Sequence, residues 1–223
     1  MVNYKNLNKC RYIVVEGVDG VGKSTQTSKL VEYLRSKGYR VLQTKEPGTP
    51  HSPITMTLRS IMLDNKHDLE LTKTARELIS QAIRSIHLER VIVPAMSNYD
   101  FIIQDRGLLT GYAYGYACGN SMSHLEKLSH LVMEGASLPT NIEQMYDLVI
   151  YLKGDPKKGL HKAISSKKEF EMGDAMEARG EAFLERVSSY MDLLSDNFNT
   201  IKFDVDDRSI DEVHDAIVSA INA

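Results

Sequence analysis

The stretch VEGVDGVGKST, at residues 15–25, combines three glycines, one lysine and two hydroxyl residues. It matches the pattern G-x-x-x-x-G-K-[ST], in which glycines allow backbone N–H groups to turn toward a polyphosphate. The lysine places positive charge at the terminal phosphates, and the serine hydroxyl is a ligand for Mg²⁺. The alternative is a glycine-rich turn without a ligand. The predicted phosphate-binding loop consists of Gly17, Val18, Asp19, Gly20, Val21, Gly22, Lys23, Ser24 and Thr25.

A second pair of residues with possible chemistry follows the apolar run FII, at 101–103. Asp105 is expected to emerge where that strand ends, and its carboxylate can hold Mg²⁺ opposite Ser24. The alternative is an aspartate that only caps a turn. Arg106 is next in sequence, and a guanidinium can clamp a phosphate with two hydrogen bonds. These two residues therefore predict a continuation of the phosphate site.

Short apolar runs alternate with longer periodic ones along the chain. The runs predict five strands, at 12–15, 40–44, 101–103, 148–152 and 201–205. The periodic segments predict helices at 23–37, 69–96, 109–118, 123–135, 209–221 and from residue 155, while prolines at 47, 50 and 53 indicate a loop. Such alternation is typical of an α/β fold, with a parallel sheet covered by helices on both faces. Ligands of such sheets bind beyond the carboxyl ends of the strands.

Composition limits the class of protein. The chain has 223 residues, 42% of them hydrophobic, and a net charge of −3, which suits one domain and argues against a nucleic-acid partner or a membrane anchor. Cys10 and Cys118 are the only cysteines, so a reducing, cytoplasmic compartment is expected. The first residues contain no apolar stretch of signal-peptide length, and no run is long enough to span a membrane.

Taken in order, several stretches resemble the thymidylate kinase family. They are VVEGVDGVGKST, KEPGT, ELISQAIRSIHLERVIVPAM, IIQDRGLLTGYAYG, YDLVIYLKGDPKKGL and EAFLERVSSYMDLL. The resemblance implies a P-loop kinase fold formed by residues 1–223, with a small lid at about 161–176. It also implies phosphorylation of dTMP to dTDP with ATP and Mg²⁺, usually by a homodimer.

The same resemblance assigns an acceptor site to five residues. Asp19 corresponds to the carboxylate beside the 3′-hydroxyl of the acceptor, and Arg106 to the arginine that holds its phosphate. Arg84 matches the arginine that reaches the base, Tyr114 the tyrosine that disfavours a 2′-hydroxyl, and Glu46 lies in the related KEPG stretch. The competing interpretations are a turn cap for Asp19, a solvated helix position for Arg84 and a core aromatic for Tyr114.

The sequence departs from the family at four positions near the expected base. Ser80 replaces an aromatic that stacks on thymine, Gly107 a tyrosine, Gly111 a serine and Gly115 a glutamine. Stacking contributes about 1–3 kcal/mol, so the departures predict an enlarged or relaxed pocket. A 5-substituted dUMP or a broad set of deoxynucleotides is then an alternative acceptor.

The expected lid also departs, because it lacks the arginines that the family often places after Gly159-Leu160. Some cation must offset the charge of the transition state, which predicts a catalytic role for Lys167 or Lys168, with Arg179 as the alternative. A solvated helix face is the competing interpretation. A further alternative for the whole protein is an ATP-switched regulator, in which nucleotide binding changes a partner surface.

Overall fold

The computed structural model describes residues 10–166 and 174–222. Five strands form one sheet in the order β2-β3-β1-β4-β5, and every neighbouring pair is parallel. The strands are β1 (Arg11–Glu16), β2 (Val41–Lys45), β3 (Phe101–Asp105), β4 (Leu148–Lys153) and β5 (Thr200–Asp204). The predicted five-stranded parallel sheet is therefore confirmed, with strand ends shifted by one or two residues.

Helices connect and cover these strands. They are α1 (Lys23–Ser36), α2 (Pro53–Leu63), α3 (Lys73–His87), α4 (Val93–Met96), α5 (Leu108–Ala117), α6 (Met122–Gly135), α7 (Pro156–Ser166), α8 (Glu181–Leu194) and α9 (Ile210–Asn222). Helices α2 and α8 are not among the elements predicted from periodicity. Pro53 lies at the start of α2, where its fixed φ and missing N–H cost nothing, so the proline marks a helix start as well as a loop end.

The single helix predicted at 69–96 is wrong in its bounds and regularity. Helix α3 begins at Lys73, after the Thr72 side chain accepts a hydrogen bond from the Ala75 N–H. A π-helical turn at Leu88–Ile92 then separates α3 from α4. Pro94 follows that turn and has no N–H to continue a regular series of hydrogen bonds, so the segment widens before it.

Side chains of the central strand alternate between two apolar layers. Tyr12 and Val14 pack with residues of α3, α5, α6 and α8 on one face of the sheet. Ile13 and Val15 pack with α1 and α9 on the other. Both faces of the sheet are thus buried, which explains why its strands read as nearly continuous apolar runs. No helix in the described ranges is long and apolar enough to cross a membrane.

Strand register positions the site. Val15 of β1 and Lys45 of β2 both pair with Asp105 of β3. The loops that leave these three strands therefore begin side by side at one edge of the sheet.

Candidate active site

The phosphate-binding loop joins β1 to α1 and turns through left-handed backbone. Gly20 and Gly22 have φ values of 76° and 96°, a region that favours glycine. A Cβ at Gly20 would collide with the carbonyl oxygen of Gly159 at the start of the α7 region. Only glycine therefore fits at this position, where the loop meets another backbone segment.

Lys23 lies buried at the first position of α1. Its Nζ donates a hydrogen bond of 2.6 Å to the carbonyl oxygen of Val18, within its own loop. Burial, and then the nearby Arg106 guanidinium, lower the pKa of Lys23 to about 8. Lys23 and Arg106 therefore place two positive charges close together, and a bound anion would reduce their repulsion.

Ser24 and Asp105 come together from two strand ends. The Ser24 hydroxyl donates to Asp105 Oδ2 at 2.7 Å. The other carboxylate oxygen, Oδ1, is buried and has no hydrogen-bond partner among the described residues. A hydroxyl next to a carboxylate oxygen that has no hydrogen-bond partner is a set of ligands that suits Mg²⁺.

Asp19 bridges two residues that are distant in sequence. Its Oδ1 accepts a hydrogen bond from Arg106 Nη2, and its Oδ2 accepts one of 2.6 Å from the Tyr114 hydroxyl. The Arg106 side chain is 15% exposed, and its carbon Cζ lies 5.8 Å from the centre of the Tyr114 ring. Asp19 does more than cap a turn, since its carboxylate orients a guanidinium beside Lys23.

Glu16, which the sequence analysis did not select, holds the backbone that follows Arg106. Its buried carboxylate accepts hydrogen bonds from the N–H of Gly107 at 2.8 Å and from Thr110. Burial raises the pKa of Glu16, and the hydrogen bonds from Thr110 and Gly107 oppose that rise. Arg106 itself adopts a positive φ of 66°. A charged residue at the end of an apolar strand was the signal that could have identified Glu16.

Glu46 and Arg84 form a buried ion pair beside the same pocket. Glu46 Oε2 lies 3.0 Å from Arg84 Nε, and Oε1 lies 3.0 Å from His87 Nδ1. Burial alone would raise the pKa of Glu46, but the Arg84 charge and the His87 contacts lower it below its usual range. Arg84 is buried, so the interpretation as a solvated helix arginine is wrong. Its Nη1 has no hydrogen-bond partner in the described ranges.

A cavity of about 120 Å³ runs from Asp19 and Arg106 along α3. Its wall includes Glu46, Arg84, Glu77, Ser80 and Tyr114. The candidate acceptor residues thus line one continuous space that begins next to the phosphate-binding loop.

The three family departures to glycine do not leave open space. A Cβ at Gly107 would lie 2.6 Å from the Tyr146 hydroxyl, and one at Gly111 would lie 2.7 Å from Arg84 Nη2. A Cβ at Gly115 would meet Leu125 at 2.7 Å. The enlargement predicted at these positions is wrong, because the glycines make room for other side chains of the protein.

A second hollow lies beside the loop, between the loop and the start of α9. It is lined by Val21, Gly22, Thr25 and Gln26 of the loop and α1, and by Val205, Arg208, Ser209, Ile210 and Val213 near the start of α9. The motif includes Val21, Gly22 and Thr25, but no motif marked the others.

The predicted lid lysines, Lys167 and Lys168, lie outside the described residues. The alternative cation, Arg179, forms an ion pair with Asp68. Its Nη2 lies 3.0 Å from Asp68 Oδ1, and its guanidinium lies 5.5 Å from the centre of the Phe183 ring.

The fold and this site define a class, the P-loop phosphotransferases, with a triphosphate loop and a separate pocket next to it. A family model described as thymidylate kinase matches residues 15–217. The chain belongs to the thymidylate kinase family.

Relatives and a solved structure agree with this assignment. The chain is 32% identical over 209 residues to a thymidylate kinase of Francisella tularensis subsp. novicida, with 93% of each protein covered. It is 30% identical over 197 residues to one of Prochlorococcus marinus strain AS9601, with 86% of each covered. The crystal structure of thymidylate kinase from Ehrlichia chaffeensis has the same fold, with a TM-score of 0.68 at 22% identity over 96% of this chain and 98% of that one.

Proposed function

We propose that this protein transfers the γ-phosphoryl group of ATP to dTMP, forming ADP and dTDP. The observation that carries the proposal is the position of Arg106 beside Lys23, at the point where the long cavity meets the phosphate-binding loop. One anion bound by the loop and another bound by Arg106 would meet end to end. Membership of the family supplies the identity of the substrates.

The donor is assigned to the loop at residues 17–25. Its backbone N–H groups and the start of α1 surround the phosphates, and Lys23 exchanges its bond to the Val18 carbonyl for a phosphate oxygen. We assign the adenosine to the second hollow, between the loop and Arg208. That hollow is supported as the site by its place next to the loop.

Ser24 and Asp105 would hold Mg²⁺, a role that their paired oxygens and the unpartnered Asp105 Oδ1 support. When bound, the ion supplies positive charge to the β- and γ-phosphate oxygens. The protein contributes the fixed positions of these two side chains.

The acceptor is assigned to the long cavity. Arg106 binds its phosphate, Asp19 its 3′-hydroxyl, and Tyr114 stands where a 2′-hydroxyl would project. Arg84 donates to the base, and Glu46 holds Arg84 in place. A phosphate oxygen of dTMP attacks the γ-phosphorus, and the bond to the β–γ bridging oxygen breaks. No general base is required, because the attacking oxygen is already ionised, and the catalysis is positioning and charge neutralisation.

We also propose, from the family resemblance, that residues 1–223 form one kinase domain with a lid at about 161–176. Lys167 or Lys168 would supply the lid cation. A homodimer in the cytoplasm completes the proposal, and the free thiols Cys10 and Cys118 support a reducing compartment.

Measurement of ADP and dTDP formation with a panel of nucleoside monophosphates tests this function. We expect dTMP to be the preferred acceptor, with one dTDP formed for each ADP. Arg106→Lys should lose most of the activity, whereas Arg90→Lys, an exposed position, should retain it. ADP formation that no monophosphate accelerates would contradict the proposal and favour an ATP-switched regulator.

A further inference from the structure

Glu77 is a buried carboxylate on the cavity wall to which the sequence analysis gave no role. It shares one face of α3 with Ser80 and Arg84, because residues three, four and seven apart lie on the same side of a helix. Only 7% of Glu77 is exposed, and its Oε1 accepts a hydrogen bond of 2.8 Å from Gln81 Nε2. In the described part of the chain, no hydrogen bond reaches the other oxygen, Oε2.

The side chains of Glu77 and Arg84 lie over two neighbouring positions of helix α5. Oε2 of Glu77 lies 2.9 Å from the point that a Cβ at Gly115 would occupy, and Arg84 Nη2 lies 2.7 Å from the corresponding point at Gly111. These two positions of α5 are one helical turn apart, with Cβ sites about 5–6 Å from each other. A hydrogen-bond acceptor therefore lies next to a donor on the same wall.

We propose that Glu77 determines base specificity by accepting the N3–H of thymine while Arg84 donates to O4. This inference rests on the proposed function, in which the long cavity receives dTMP. Thymine presents a donor at N3 next to an acceptor at O4, which complements the Glu77 and Arg84 pair. Cytosine presents the reverse pattern, so its N3 lone pair would face a carboxylate and its amino group a guanidinium. Sites of this kind reject the mismatched base because buried polar groups are left unpaired.

The small residues around Glu77 fit the same role. Gly115 replaces a glutamine, and its missing side chain gives the Glu77 carboxylate its place on the wall. Ser80 lies between Glu77 and Arg84 on the cavity face. The polar groups on this part of the cavity wall thus come from α3.

The charge state of Glu77 offers an independent readout. Burial raises the pKa of Glu77, while the Gln81 hydrogen bond and the Arg84 charge oppose the rise. Two other titratable groups near it are Tyr112 on α5 and Cys118 just after α5; burial raises the pKa of both, so both remain neutral in the acid range. Protonation of Glu77 removes the negative charge that strengthens its hydrogen bond to N3–H, so KM for dTMP should rise as pH falls through its pKa.

The test compares kcat and KM for dTMP and dCMP in the wild type, Glu77→Gln and Glu77→Asp. Glu77→Gln should raise KM for dTMP about tenfold, the scale of one charge-assisted hydrogen bond, with a smaller change in kcat. The ratio of kcat/KM for dTMP to kcat/KM for dCMP should also fall about tenfold or more in Glu77→Gln. Glu77→Asp should preserve that ratio. The exposed Glu89→Gln serves as the matched control and should change neither substrate.

Each outcome decides a separate point. An unchanged ratio of dTMP to dCMP in Glu77→Gln, or an equal loss for both, would overturn the role of Glu77 while the function stands. A wild type that does not phosphorylate dTMP would overturn both. If Glu77→Gln does not fold, the wild-type pH profile decides, and a KM for dTMP that does not rise in acid beyond the effect of the substrate's own phosphate would refute the inference.

Discussion

Lys23 offers the most quantitative prediction, because its pKa in the protein without nucleotide is about 8. Half of the molecules then carry a neutral Lys23 at pH 8. A polyphosphate beside the amine favours its charged form, which raises the pKa again on binding. Binding of MgATP should therefore take up about 0.5 proton at pH 8, about 0.1 at pH 7 and about 0.9 at pH 9.

The sign of the effect on affinity follows directly. The charged lysine is the form that binds, so the Kd for MgATP stays nearly constant below pH 8. Above pH 8 it rises about tenfold for each pH unit, because each unit reduces the charged fraction tenfold. The two thiols titrate outside this window, since burial raises the pKa of Cys10 to about 11 and that of Cys118 as well.

Titration calorimetry in two buffers with different enthalpies of ionisation measures the proton uptake. Lys29→Met is the matched control, because Lys29 lies on the same helix and pairs with Asp211 at 2.8 Å outside the loop; it should retain the uptake. Uptake near zero at both pH 8 and pH 9 would refute the claim that Lys23 is the desolvated amine that receives the phosphates.

Three further changes test other parts of the site. Asp105→Asn should lower activity by about 10- to 100-fold at a fixed Mg²⁺ concentration, and a titration with Mg²⁺ should recover part of it; a loss that no Mg²⁺ concentration changes would contradict the metal role. Glu46→Gln should cost about 3–5 kcal/mol of unfolding free energy at pH 7 because it leaves the Arg84 charge buried. Because folding lowers the pKa of Glu46, its ionised carboxylate stabilises the protein above the ordinary value of 4.5, and this contribution is lost in acid. Urea denaturation should therefore show that the difference in unfolding free energy between the wild type and Glu46→Gln becomes smaller below that pH. A constant difference would count against the pairing. Asp68→Ala removes the partner that Arg76 and Arg179 share and should cost about 1–3 kcal/mol, measured in urea; an unchanged midpoint would contradict this.

The sheet and the phosphate-binding loop were predictable because each depends on short-range pattern. Short apolar runs specify buried parallel strands, and the glycine spacing specifies the loop. The bounds of α3 were harder to predict, because the helical spacing of apolar residues continues through the π-helical turn before Pro94. Helix α2 was missed because its first residue, Pro53, also indicates a loop.

The site was predictable only where one residue type determines the chemistry. Lys23 and Asp105 follow from the motif and from strand ends, whereas Glu77 is informative only through its neighbours in space. The space at Gly107 is a further example. Sequence comparison shows a lost side chain there, but Tyr146, 39 positions further on, fills the space with its hydroxyl. Long-range packing of this kind leaves no local signal.

The central claim is that two anionic ligands meet end to end between the phosphate-binding loop and Arg106. The most direct measurement is a crystal structure with a bisubstrate ligand in which adenosine and thymidine are joined through their 5′ positions by a polyphosphate. We predict that its phosphates run from the loop amides past Lys23 to Arg106, with thymine beside Ser80. A thymidine outside the long cavity, or phosphates that do not contact Arg106, would contradict the account.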